Sequence, residues 1–174
     1  MTFNATLLSV EQLRRAGFVE REFYKARSGM ERKRVVILPA EIDHMLDARE
    51  PGFPCIWASQ SLDTFRAGYH VTVSRAAGTK PDLKLLNNVD EVWAFAIRKP
   101  RDFQARLLGR FVHQDVFVGL EFALRAELGS PAQYHAHAER IAASWDERTG
   151  GVRPIRSASN SDYLSYVFRD LDNE

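Results

Sequence analysis

A phosphate-binding site needs guanidinium groups brought together, and one stretch of this sequence supplies them at regular intervals. Arg98, Arg106, Arg110 and Arg125 fall on the polar parity of three apolar runs, and Glu121 shares that parity. Arginine suits an anion because its planar fork binds phosphate through two bonds and stays charged. Such a cluster could hold a phosphodiester and stabilise the charge developing on it, with Glu121 or a histidine moving the proton. His135 and His137 do not make a metal pair, since residues two apart on a helix point about 200° away from each other. His135, near a helix start and close to the arginines, is read alone as an acid or base. A metal-dependent nuclease hairpin built on Asp115 and Glu121 would need a lysine two positions after the acid, where the chain has Ala123. No metal and no cofactor are expected. Cys55 precedes Ile56 and Trp57 and reads as a core thiol rather than a nucleophile.

The elements that must position these groups are three predicted strands, over residues 92–98, 105–112 and 116–125, followed by a helix opening at Ser130. In each strand one parity is apolar: Trp93, Phe95 and Ile97; Leu107, Gly109 and Phe111; Val116, Val118, Leu120, Phe122 and Leu124. Period two marks a sheet with one face in the core. A four-residue loop over 112–115 would set Phe111 against Val116, Gly109 against Val118, Leu107 against Leu120 and Arg106 against Glu121. Keeping the same core face sets Arg98 against Arg106, a like-charged pair that either splays into solvent or holds an anion. The helix has an N-cap in Ser130, proline at its first position in Pro131, and a stop at Gly150-Gly151. Tyr134, Ala138, Ile141 and Trp145 form one stripe, expected to pack on the apolar face of the sheet.

Upstream, the spacing predicts a helix over 9–25 opened by Ser9 and Gln12, a buried strand at Val35 to Leu38 stopped by Pro39, and a helix over 40–48. Residues 53–59 read as a strand, 61–67 as a short helix, and 69–74 as a strand. The fold class is thus α+β, an antiparallel meander with helices packed on one face. Residues 1–149 form one domain, and 150–174 a C-terminal extension whose apolar part, residues 162–168, docks on its own domain or on a partner.

Composition sets the outer limits. With 174 residues and 45% hydrophobic content, the chain can bury a core without disulfide or metal. Its 24 Lys+Arg against 23 Asp+Glu leave a formal charge of +1, so overall charge does not advertise nucleic acid. The basic residues are unevenly placed, with Arg14, Arg15, Arg21, Lys25, Arg27, Arg32, Lys33 and Arg34 crowding the first 34 positions. No run reaches the ~18 apolar residues of a membrane span. The start lacks a basic segment followed by a long apolar one, so a cytoplasmic protein with no membrane partner is expected.

Residues 83–147 carry a further pattern. A leucine-rich lead over 83–86 precedes Trp93-Ala94-Phe95-Ala96-Ile97-Arg98. Arg106-Leu107-Leu108-Gly109-Arg110-Phe111 follows, then a hairpin, an apolar strand and a helix opened by Ser130-Pro131. This order resembles the RelE/HigB-like toxin superfamily, including its phage-type members. The resemblance implies a compact antiparallel sheet with helices on one face, and an endoribonuclease that cuts mRNA on the ribosome without metal, using basic residues and a histidine or tyrosine. It also implies RNA or the ribosome and an antitoxin-like protein as partners. Arg98, Arg106 and Arg110 fall where the family's strand arginines lie, so the resemblance gives those three an RNA-contact role. Two other classes stay open: a non-catalytic phage- or plasmid-related interaction module using the sheet and the aromatics Tyr163, Tyr166 and Phe168, and a protein holding a small phosphate or carboxylate ligand.

Overall fold

The computed structural model describes residues 2–22, 31–86, 89–166 and 168–172, with side chains described from residue 8 onward. Lys25 and Arg27 of the basic N-terminal run lie outside the described residues. Helix α1 (Thr2–Arg15) is followed by β1 (Phe18–Glu20), β2 (Val35–Pro39), α2 (Ala40–Ala48) and α3 (Cys55–Arg66). Then come β3 (Val71–Ser74), β4 (Leu83–Leu85), β5 (Trp93–Ile97), β6 (Ala105–His113), β7 (Val116–Leu124), α4 (Pro131–Thr149) and β8 (Phe168–Asp170). Two upstream expectations change. The first helix starts at Thr2 and stops before Gly17, whose φ of 86° turns the chain into β1, and residues 55–59 open α3 instead of forming a strand.

The strands make one eight-stranded sheet in the order β1-β2-β7-β6-β5-β4-β3-β8. The expected antiparallel meander β5-β6-β7 is its centre, but the sheet is mixed. β2 runs parallel to β7, and β3 runs parallel to both β4 and β8. Helices cover both faces, not one. On the first face α2 and α3 pack Ile42, Leu46, Leu62 and Phe65 against Trp93, Phe95, Leu107 and Phe111. On the second, α1 and α4 pack Leu13, Ala138, Ile141 and Trp145 against Ala94, Leu108, Val118 and Leu120. The stripe of α4 therefore lies on the arginine-bearing face, opposite to the expected one. The reason is visible in β5, all five of whose residues are buried: a central strand covered on both sides does not alternate in polarity. Fully burying Ile141 and Trp145 stabilises this second layer by roughly 2–3 kcal/mol each.

The register between β6 and β7 also differs from the expected one. Leu108 opposes Glu121, Gly109 opposes Gly119, and Leu120 is an extra residue; a second irregularity falls between Phe111 and His113. The bulge reverses parity along β7, so Phe117 and Phe122 join the first face while Val118 and Ala123 join the second. Gly109 makes the close approach possible, since a Cβ there would lie 2.0 Å from the Val118 carbonyl oxygen and 2.8 Å from Gly119 Cα. Gly109→Ala is expected to cost about 3 kcal/mol or more, read as a lowered urea midpoint. An unchanged midpoint would mean that the strands do not meet this closely.

The hairpin turn centres on Gln114 and Asp115, the latter at φ 63°. Asp115 is structural: its carboxylate accepts from the backbone N–H of Ser165 at 3.1 Å and faces the buried Arg34 at 3.6 Å. The segment set apart as a C-terminal extension contributes Tyr163 and Leu164 to the first-face core and β8 to the sheet edge. Tyr163 packs at 4.9 Å from Trp93 and 5.5 Å from Phe111 (ring centroids), and its hydroxyl donates to Glu91 Oε2 at 2.5 Å. The tail docks on its own chain. No helix among the described residues is long and apolar enough to cross a membrane.

Candidate anion-binding cleft

The first turn of α4 overhangs the end of the sheet where β5 stops and β4 and β6 begin. Its start is fixed by a capping box: Ser130 Oγ accepts from the Gln133 N–H at 3.2 Å, and the Gln133 side chain accepts from the Ser130 N–H at 2.9 Å. Between this turn and the strands lies a cleft of about 710 Å³. Leu86, Ala94, Ala96 and Leu128 form its apolar floor, and the two alanines keep it open by being small. Its cations are Lys80, Lys84, Arg98, Arg106 and Arg125, joined by Tyr134 and His135 from α4. No aspartate or glutamate is among the described residues that line it.

Arg106 is the centre of this arrangement. It points from β6 into the space beneath α4, opposite Ala96 on β5 instead of Arg98. Burial holds its pKa below the ordinary arginine value; the Tyr134 phenol offsets part of this, and Arg125 and Arg98 add to it by like-charge repulsion. Its Nη1 donates to the Ala105 carbonyl at 2.8 Å. An anion placed here would meet the partly buried Arg106, with Arg98, whose charge Asp82 partly offsets, and the exposed Arg125 beside it. Burial pushes the Tyr134 phenol above its ordinary pKa, while Arg106 and Arg125 pull it back. The phenol is therefore protonated near neutral pH and available as a donor.

The other cations frame the opening. Arg98 donates to the carbonyls of Lys80 and Pro81 at 2.7 and 2.6 Å and meets Asp82 at 3.4 Å, so it anchors the loop before β4 and presents Lys80. Lys84 donates to the Thr79 carbonyl at 3.3 Å. Arg125 is exposed at the rim, where its backbone N–H donates to the Gln104 carbonyl at 2.7 Å.

Four of the six site residues expected from the sequence thus meet: Arg98, Arg106, Arg125 and His135. Two do not. Arg110 is only 3% exposed; its guanidinium lies 5.1 Å from the Trp145 ring centroid, donates to the Asp90 carbonyl, and pairs with the Asp90 carboxylate at 3.3 Å. It sits farther along β6 than the cleft reaches, under the C-terminal half of α4. Glu121 stands opposite Leu108 instead of Arg106 and is engaged with His137 and, at 3.2 Å, with Arg140. The two histidines part as expected, His135 turning to Glu139 at 3.2 Å and His137 to Glu121.

Tyr134, Lys80 and Lys84 have no sequence signal that marks them as site residues. Tyr134 occupies one more position of an apolar stripe, and the lysines depend on β4 pairing with β5, which no local spacing announces. A second, more open cavity of about 890 Å³ lies between the turn after α1, β1, the start of α2 and α4; both its arginines are paired with acids, Arg148 with Glu41 at 3.0 Å and Arg140 with Glu121, and a third acid, Glu147, lines it too. It makes the weaker site for an anion. Comparison of the chain with protein-family models, with curated proteins and with solved structures finds no match.

Proposed function

We propose that the cleft binds the phosphodiester backbone of RNA and that the chain is a ribonuclease of the RelE-like kind, acting without a metal. The observation that carries this reading is the gathering of Arg98, Arg106 and Arg125 with two lysines, a protonated phenol and a histidine around one cavity that no carboxylate lines among the described residues. In the reaction the 2′-oxygen attacks the adjacent phosphorus as His135 takes its proton. The P–O5′ bond breaks as Tyr134 donates its proton to the departing oxygen, leaving a 2′,3′-cyclic phosphate and a 5′-hydroxyl. The guanidinium groups carry the charge that builds on the phosphoryl oxygens, and those of Arg98 and Arg106 are held in place beforehand by their bonds to the Lys80, Pro81 and Ala105 carbonyls. The stretch resembling the toxin superfamily supplies β5, β6, β7 and α4 in that order. The two-sided helix cover and mixed sheet depart from the one-sided layout that the resemblance implies.

The apolar floor of Leu86, Ala94, Ala96 and Leu128 favours a second reading, in which the cations hold a small phosphate or carboxylate ligand whose apolar part rests on that floor. Induced expression of the wild type beside a Tyr134→Phe variant separates the two. The ribonuclease reading expects growth arrest with loss of bulk mRNA, and a rate lowered about 100-fold or more in the variant. Intact mRNA and normal growth with the wild type would overturn it and leave the small-ligand reading.

A further inference from the structure

The end of the sheet that opens into the cleft also carries the exposed aromatics of α3 and of the loop between β5 and β6. That loop, residues 99–104, starts next to Arg98 and ends at Gln104, and both of these line the cleft. The turn bond from the Phe103 N–H to the Pro100 carbonyl, 3.1 Å, folds it back on itself and leaves Phe103 at the surface. Lys99 leaves the sheet on the other side from Arg98 and places its ammonium 5.3 Å from the centroid of the Trp57 ring. The packing of Phe53 on Phe122, 5.7 Å between centroids, holds the start of α3 near the same end of β7 that delivers Arg125. Trp57 is 38% exposed and Phe103 36%, in a chain whose other two tryptophans are at most 1% exposed. Lys99 and Arg101 outnumber the single acid of the loop, Asp102.

Exposed rings interleaved with cations, leading out of a cationic cleft, match what a single strand of nucleic acid needs. Bases stack on the rings whatever their identity, and the backbone follows the charge. We infer that Trp57 and Phe103, with Lys99 and Arg101, form a base-stacking platform beside the cleft. The platform takes the nucleotides that flank the phosphate held by Arg106, so the ligand is a single-stranded RNA several nucleotides long. This rests on the cleft's being an RNA site, and it adds a substrate length and a strandedness which that reading does not contain. Lys99 is held on the indole by cation–π attraction, where its charge can meet the backbone of a stacked nucleotide. A duplex would be a poor ligand, since its bases are already stacked.

The test uses 2′-O-methyl oligouridines of two and eight residues, which bind without being cut, and a duplex of the longer length. Binding is followed by anisotropy of an end-labelled strand and by the tryptophan emission, from which that of the Trp57→Phe protein, carrying Trp93 and Trp145 alone, is subtracted. The platform predicts that the octamer binds about tenfold or more tightly than the dimer, changes the tryptophan emission, and outcompetes the duplex. A Trp57→Leu/Phe103→Ser variant should lose that advantage while binding the dimer as the wild type does, and Trp57→Phe should restore most of it. Equal affinity for dimer and octamer, or an advantage that survives in the double variant, overturns the platform and leaves the cleft reading standing. Failure of both lengths to bind the wild type overturns the two together.

Discussion

Replacing Arg106 with methionine should weaken binding of a short RNA about 10- to 100-fold and leave the protein as stable as before or slightly more so. The weaker binding follows from the absence of one charge-assisted hydrogen bond to phosphate, about 1.5–3 kcal/mol. The sign of the stability change follows from the surroundings. The Arg106 guanidinium is desolvated, its charged neighbours in the cleft are Arg98 and Arg125, and only the Tyr134 phenol offsets their repulsion. A partly buried charge with no carboxylate beside it is a cost to the folded state, and methionine keeps most of the stem's packing while removing that cost. Anisotropy titrations at two salt concentrations, with thermal melts of both proteins, make the comparison. The slope of log affinity against log salt should shrink by about 0.7, because one phosphate fewer is neutralised. A variant that binds as well as the wild type would remove Arg106 from the site; one that loses binding and melting temperature together would make it a structural arginine.

This opposition between stability and binding has the form expected of a site kept for function, where residues are held in an arrangement the fold alone does not favour. The rest of the second face follows the ordinary rule. Charges there are paired: the buried Arg110 with Asp90, and the more exposed Glu121 with His137 and Arg140 and Arg148 with Glu41. Where α4 begins, on its capping box, cations collect without carboxylates among the described residues that line the same space.

How far the sequence announces this depends on which interactions are local. Ser130, Pro131 and Gly150 act within one turn of chain, and the helix they bound is found where their chemistry puts it. The odd positions of β5 and β6 follow from period two and face one core, as expected. The β7 residues fail at the bulge because the extra residue, Leu120, continues the apolar parity of Val118 and Phe122, so nothing in the pattern marks the shift. Gly109 and Gly119 are the available signal: two glycines that face each other permit a backbone approach that side chains would block. The parallel partners β2, β3 and β8 join the sheet through long-range pairing, which period two cannot assign. The open arginine face is the largest difference. Ala94, Leu108 and Val112 share the arginine parity of β5 and β6, and three apolar positions among the charges are what a covering helix leaves in the sequence.

Arg110→Ala provides the opposite result to Arg106→Met on the same face of the same strand, four residues away. It should lower stability by about 3 kcal/mol, and the affinity of the folded fraction for RNA should not change. Its side chain is almost fully buried between Asp90 and the ring of Trp145, at 3.3 Å from the carboxylate and 5.1 Å from the ring centroid. Burial lowers its pKa, the Asp90 charge raises it in part, and Arg156 lowers it again. Truncation removes the guanidinium from Trp145, opens a cavity under α4, and leaves Asp90 with the more exposed Arg156, 2.6 Å away. Asp90 stays paired and partly exposed, so the cost comes from the buried side chain itself: the cavity, about 2–5 kcal/mol as for a large-to-alanine change in a core, with the hydrogen bond to the Asp90 carbonyl lost as well. For a chain of this length each kcal/mol moves the melting temperature by about 2–4 °C, so a fall of roughly 6–12 °C is expected. If Arg110→Ala instead melted with the wild type and lost RNA binding, the cleft would have to extend beneath the middle of α4, and Trp145 would have to move to admit the strand.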